Sequence, residues 1–159
     1  MSNLSNNTKA SLFFDDITSG IILTKDKSRT VQSFHYRCER KRNAMGMPYG
    51  PTAKTYLRFS VKTLPDGHLK DLYNRMYETV PSAFSFVFNA TFDPDDQLSD
   101  YDTALVVEGF ITSVDEVYEG LSTETTDAKG LMLTNVEFLA KSISYMGSGN
   151  KKKSLNIHF

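Results

Sequence analysis

The stretch "TYLRFSVK" (Thr55 to Lys62) alternates without interruption. Leu57, Phe59 and Val61 fall on one side of an extended chain, and Tyr56, Arg58, Ser60 and Lys62 on the other. That is the pattern of a strand with one face in a core and one in water. Working outward from it, the same period of two recurs. "TVQSFHYRCER" (Thr30 to Arg40) sets Phe34, Tyr36 and Cys38 against Ser33, His35, Arg37 and Glu39, and "FSFVFNATF" sets Phe84, Phe86, Phe88, Ala90 and Phe92 on one face. "ASLFFD" (Ala10 to Asp15) and "GIILT" (Gly20 to Thr24), around a "DITS" turn, read as a hairpin. Two longer apolar stretches follow, Ala104 to Gly120 and Gly130 to Met146. Gly109 in the first predicts a bulge, or a bend where the strand changes sheets. In the second, Met132, Val136, Phe138 and Ala140 oppose Leu133, Leu139, Ile143 and Tyr145, so part of its outer face is expected to be covered by a helix or another subunit.

One segment changes period. In "HLKDLYNRMYETVP", Leu69, Leu72, Tyr73, Met76 and Val80 stand at helical spacing, and Pro81 stops the run. The pattern predicts one short helix over about residues 68–80. Three loops are expected: "NAMGMPYGPTAK" (Asn43 to Lys54), the acidic "DPDDQLSDYD" (Asp93 to Asp102) and "LSTETTDAKG". The first is far longer than a hairpin needs, and loops of that length are often functional.

The 159 residues suffice for one domain, 1–159, with a core over about 10–146 and extensions at 1–9 and 147–159. The expected fold is mainly β: a two-sheet β-barrel of antiparallel strands with one short α-helix. A net charge of -1 demands no polyanionic partner. The layout is less even. Met1 to Arg75 holds 13 cations and 6 anions, whereas Met76 to Ala128 holds 12 anions and no cation. Two clusters stand out: Arg37, Arg40, Lys41 and Arg42, and Asp93, Asp95, Asp96, Asp100 and Asp102.

Catalytic chemistry finds no footing. There is no phosphate loop, nucleophile elbow or zinc-protease motif. His35, His68 and His158 have no ligand spacing with the lone Cys38. Cys38 itself reads as a small buried core residue. The Asp cluster lacks the order of a calcium loop, and a solvated acidic loop is its plain alternative. No metal and no cofactor is expected, and the chain is not expected to be an enzyme. Arg58 and Lys62 could extend the basic cluster into a phosphate stripe, but Phe34 and Tyr36 point away from Arg37 and offer no stacking platform there. Nucleic acid is therefore not expected as a partner. One cysteine permits no internal disulfide, and no signal peptide or membrane span is legible. The protein is expected to be made in the cytoplasm and, if it leaves, to leave by a dedicated machine.

Self-association is the reading that uses both charge clusters. A subunit basic at one pole and acidic at the other can stack head to tail without end.

The order of elements resembles that of the haemolysin-coregulated protein (Hcp) family, the tube proteins of type VI secretion, and at the same level phage tail-tube proteins. The likeness lies in "FHYRCERKRNAMGMPYGPTAKTYLRFSVKTL" and in "LVVEGFITSVDEVYEGLSTETTDAKGLMLTNVEFLAKSISY". It implies hexameric rings that stack into a tube and carry or deliver effectors, with sheath, spike and effector proteins as partners and export without a signal peptide. It makes the 43–54 loop an arm reaching a neighbouring subunit or ring. Met45, Met47 and Tyr49 on that arm, with the two charge clusters, are the interface candidates. A monomeric β-barrel that binds a lipid, a glycan or an acidic partner is the alternative.

Overall fold

The computed structural model describes residues 9–63, 67–119, 131–147 and 155–158. The strands are β1 (Ala10–Phe13), β2 (Arg29–Arg42), β3 (Pro48–Lys62), β4 (Ser82–Phe88), β5 (Thr91–Phe92), β6 (Leu98–Asp100), β7 (Thr103–Glu119), β8 (Leu131–Gly147) and β9 (Leu155–His158). Among the described residues one α-helix, α1, spans Gly67–Met76. A seven-stranded sheet has the order β3-β2-β1-β4-β7-β8-β9, and β3 also pairs with β8, so the strand order closes on itself. The pair β5-β6 makes a second, two-stranded sheet. The expected two-sheet barrel is thus a ring of antiparallel strands with a small hairpin sheet beside it.

The chain forms two compact units. The first comprises residues 1–31, 83–107 and 143–157, and the second 32–82, 108–142 and 158–159. In the second, β3 pairs antiparallel with β8, setting Leu57 opposite Phe138 and Phe59 opposite Val136. Leu57, Phe59 and Val61 are buried, as the alternation at 55–62 requires, and so are Val136, Phe138 and Ala140 opposite them; Ser60, expected to face water, is buried as well, its hydroxyl bonded to that of Ser33. Leu72 of α1 is buried with only 2% of its surface exposed. In the first unit, Phe13, Leu23, Val87 and Ala104 form a core against which Ile17, Phe92, Leu98, Tyr101 and Met146 pack. Phe14 and Phe84 meet edge to face at 5.5 Å, a favoured geometry for aromatic rings.

Several elements differ from their sequence reading. Gly20–Thr24 does not return along β1. Instead β1 pairs with β2 and with β4, and the 20–24 segment meets the far hairpin through a Thr24–Gln97 bridge. Two short apolar runs around a turn fit a hairpin, but β1 pairs along all four of its residues with β4 and at Ser11 and Leu12 with β2. The "FSFVFNATF" strand breaks at Asn89, whose φ is 53°, and β4 is buried on both faces, not one. Ser85 and Val87 are fully buried beside Phe84 and Phe86. The Ser85 hydroxyl is satisfied there. It accepts from the Ile17 N–H at 3.0 Å and donates to the Asp15 carbonyl at 2.7 Å, as a buried polar group must.

Helix α1 ends at Met76, short of the expected 80. Tyr77 and Glu78 bond back three residues, to Asn74 and Arg75, which tightens the last turn. Val80 consequently stands 67% exposed; β-branched Thr79 and Val80 before Pro81 favour extended backbone. On β8 the buried positions run 134, 136, 138 and 140 and then shift to Ile143. That change of parity coincides with the passage from the second unit to the first. It accounts for Ile143 on the other parity; Leu133 and Leu139, which precede the shift, are half-buried.

Gly109 lies where β7 enters the second unit. A Cβ there would stand 2.0 Å from the Leu139 carbonyl oxygen, so close approach of β8 is what demands glycine. The "LSTETTDAKG" loop lies outside the described residues. So do 1–8 and 148–154; of the C-terminal extension, β9 is described and lies beside β8.

Candidate assembly surface

The expected long loop at 43–54 is mostly strand. β2 and β3 form one hairpin whose turn is only Asn43 to Met47. Pro48 and Pro51 are tolerated because β8 begins to pair with β3 only at Thr55, and proline needs a place where its missing N–H is not required. From His35 through Gly50 every residue is exposed, so this end of the hairpin is an arm wet on both faces. Cys38 is therefore exposed and not the core residue expected, because the alternation that hides Phe59 has no second layer to bury it here.

The tip is rigid. The Asn43 N–H donates to the Met47 carbonyl at 2.8 Å, and Gly46 N–H to the Asn43 carbonyl at 2.9 Å. The Asn43 side-chain oxygen accepts from the N–H groups of Met45 and Met47 at 3.0 Å each. Gly46 takes the left-handed conformation, φ 79°, that ends this turn. On that frame Met45 is 87% exposed, Met47 61% and Tyr49 51%. Arg40 donates through Nε to the Gly50 carbonyl at 3.1 Å, and Arg37 pairs with Glu39. Lys41 and Arg42 stand exposed beside the turn.

The acidic cluster repeats the same device. It is not a loop but the β5-β6 hairpin and its flank. Asp93 N–H donates to the Gln97 carbonyl and Asp96 N–H to the Asp93 carbonyl, both at 2.9 Å. The Asp93 carboxylate accepts from the N–H groups of Asp95 and Gln97 at 2.9 Å, and Asp96 takes the positive φ, 57°. The segments "NAMGM" and "DPDDQ" fold alike because an Asx side chain at the first position completes the turn in both. Asp95, Asp96, Asp100 and Asp102 are exposed, with Asp102 accepting from Asn89 at 2.8 Å. Tyr101 between them has its pKa raised, first by burial and then by the charge of Asp100. Among the described residues no group of three or more His, Cys, Asp or Glu is placed to hold a metal ion. No described helix is long and apolar enough to cross a membrane.

Sequence reasoning missed two features. One is the adjacent pair Ile21 and Ile22, 48% and 61% exposed, which the hairpin reading had hidden against β1. The other is the open edges of the second unit. Its strands lie in the order β2-β3-β8-β7. β1 meets β2 only at Arg29 and Thr30, so from Gln32 onward β2 has β3 alone as a described neighbour. β4 has 7 residues against the 17 of β7, so among the described residues the far half of β7 has β8 as its strand neighbour. Strand order was not readable from periodicity, and these edges follow from strand order.

Solved structures with a fold similar to this ring of antiparallel strands include Hcp proteins. One is an Hcp protein with a TM-score of 0.63 at 11% identity, over 95% of this chain and 97% of that one. Hcp1 from E. coli gives 0.62 at 14% identity, over 94% and 97%. The secreted protein Hcp3 from Pseudomonas aeruginosa gives 0.55 at 12% identity, over 96% and 98%. No family model matches the sequence, and no curated protein matches it. The chain has the Hcp fold; at these identities the likeness speaks for the fold alone.

Proposed function

We propose that this chain is a structural subunit of a type VI secretion inner tube, six copies closing into a ring and rings stacking head to tail around a cargo of effectors. One feature supports the reading: among the described residues, the second unit ends in two strand edges without a further strand neighbour, and they carry opposite charge. The exposed stretch of β2 carries Arg37, Arg40, Lys41 and Arg42 against Glu39 alone, while β7 exposes Glu108, Asp115 and Glu116. Open edges are templates for pairing, and proteins that stay monomeric blunt them with charge. Like charges on both edges would do that. Opposite charges invite the β2 edge of one copy onto the β7 edge of the next.

The strand directions suit such a joint. β2 and β3 are a hairpin, β3 and β8 are antiparallel, and β7 runs against β8, with Gly109 beside Leu139 and Glu108 bonded to Ser142. β2 and β7 therefore run in opposite directions, and rotation about a ring axis preserves each direction. Every joint is then antiparallel. Backbone hydrogen bonds supply affinity, and the charges supply register and encounter rate. Val117 and Tyr118, 38% and 65% exposed on β7, are covered by the same contact.

In this reading the Met45–Tyr49 tip and the carboxylates of Asp93, Asp95, Asp96, Asp100 and Asp102 serve ring-to-ring contact. The partners are other copies of the chain, then sheath, spike and effector proteins. The protein is made in the cytoplasm, exported by the apparatus and has no catalytic role. The test is a charge swap. Arg37→Glu with Arg40→Glu should abolish rings in light scattering, and adding Asp115→Lys with Glu116→Lys should restore them. Rings that ignore the first pair of changes would refute the edge joint.

A further inference from the structure

We propose that the arm of the β2–β3 hairpin carries a binding groove for single-stranded nucleic acid, with its cations on the phosphates and tyrosines of β3 against the bases. The site belongs to the free subunit and does not depend on the tube reading.

The groove lies within the second unit and has a volume of about 1100 Å³. Arg37, Arg40, Lys41, Arg42 and Lys54 line it, against the one carboxylate of Glu39, and that carboxylate is already paired with Arg37. Arg40, Lys41, Arg42 and Lys54 are all exposed. Arg40 is held through Nε by the Gly50 carbonyl at 3.1 Å, and the Asn43 turn fixes the end of the strand that carries Lys41 and Arg42. Cations placed in advance cost less to order when a ligand arrives. Held this close they repel one another, and a polyanion relieves that repulsion.

Charge alone would fit any polyanion, and the rings select among them. On β2 the rings face away from Arg37: Phe34 and Tyr36 occupy the other parity and meet each other at 6.1 Å. β3 supplies the platform that β2 lacks. The hydroxyls of Ser33 and Ser60 are bonded to each other, so odd residues of β2 share a face with even residues of β3. His35, Arg37, Tyr56 and Arg58 accordingly line one recess. Tyr56, 44% exposed, lines the arm's groove as well, and so does Tyr49, 51% exposed, nearer the turn. Bases stack on such rings whatever their sequence, while the backbone follows the cations. A duplex hides its base faces, and an acidic peptide would leave the tyrosines idle, so a single strand is the occupant that uses every part of the groove.

The test is fluorescence anisotropy of a fluorescein-labelled oligothymidylate titrated with the dilute full-length protein. With one phosphate on each of Arg40, Lys41, Arg42 and Lys54, the salt slope is about −2.8, so affinity should fall about fiftyfold between roughly 50 and 200 mM salt. Lys41→Ala with Arg42→Ala should make that slope shallower by about 1.4. Tyr56→Leu should weaken binding roughly tenfold and Tyr56→Phe should leave it intact, with circular dichroism confirming the fold of each variant. The bound strand should also slow alkylation of Cys38, which lines the groove, by iodoacetamide, a neutral reagent. Absence of binding at the lowest salt would overturn the proposal outright. Tyr56→Leu binding as the parent does, or inorganic polyphosphate binding as tightly charge for charge, would overturn it in favour of an unselective anion surface.

Discussion

Replacing Gly109 by alanine probes the packing that holds β7, and with it the acidic edge, in place. The added Cβ would stand 2.0 Å from the Leu139 carbonyl oxygen and 2.9 Å from the Ala140 Cα. Both are backbone atoms of the paired strand, so no side chain can swing aside. Ordinary contact needs about 3.5 Å, and the strands must part by more than an ångström. Overpacking of this kind costs about 1–3 kcal/mol, and backbone obstruction belongs at the top of that range. For a chain of this size each kcal/mol lowers Tm by about 2–4 °C, so Gly109→Ala should melt about 6–12 °C early. Gly46→Ala is the control. Nothing lies within 4 Å of its Cβ position, and only the positive φ of 79° opposes it; the cost is about 1 kcal/mol. Thermal melts of both variants by circular dichroism, backed by urea titration, make the comparison. Equal shifts, or a Gly109→Ala variant as stable as the parent, would show that β7 and β8 do not approach as closely as this reasoning needs.

Ser85→Ala should cost about 1–3 kcal/mol in urea unfolding, since it leaves the Ile17 N–H and the Asp15 carbonyl without their buried partner. Phe59→Ala, in the centre of the second unit's core, should cost about 3–5 kcal/mol in the same assay. Tyr101 gives a pH signature. Its folded pKa is raised, so the stability linked to it is complete below the unfolded value of 10.0 and is lost as pH rises through the folded pKa. Tyr101→Phe should flatten the alkaline limb of a stability–pH curve. Ring assembly followed by stopped-flow scattering should slow as salt rises from 0.1 M to 1 M, where the Debye length falls from about 10 Å to about 3 Å, while rings already closed should persist on their backbone bonds.

Much of the fold is written in local pattern. Leu57, Phe59 and Val61 are buried and Tyr56 and Arg58 exposed because strict alternation admits one sheet face, and the same logic placed β2, β7 and β8 in outline. The failures share a cause. Val80 has helical spacing but β-branched and proline neighbours, and the neighbours won. Ser85 reads as a solvent-facing residue until Asp15 and Ile17, some 70 positions away, arrive to bond it. Pairing of β1 with β2 and β4, not with Gly20–Thr24, depends on long-range competition that no window of sequence contains. The site was legible as composition and not as geometry. Arg37, Arg40, Lys41 and Arg42 and the five aspartates could be counted, but that both clusters sit on the same Asx turn needed hydrogen bonds. Ile21 and Ile22 escaped because a wrong hairpin had already hidden them.

Self-assembly through the open β2 and β7 edges is the claim on which the functional reading stands. Negatively stained images of the concentrated protein at low salt, read with its mass in solution, test it directly. The account predicts closed rings with a mass six times the 17.9 kDa chain, some of them stacked. A population that remains monomeric under those conditions would contradict it and leave a β-fold binding module in its place.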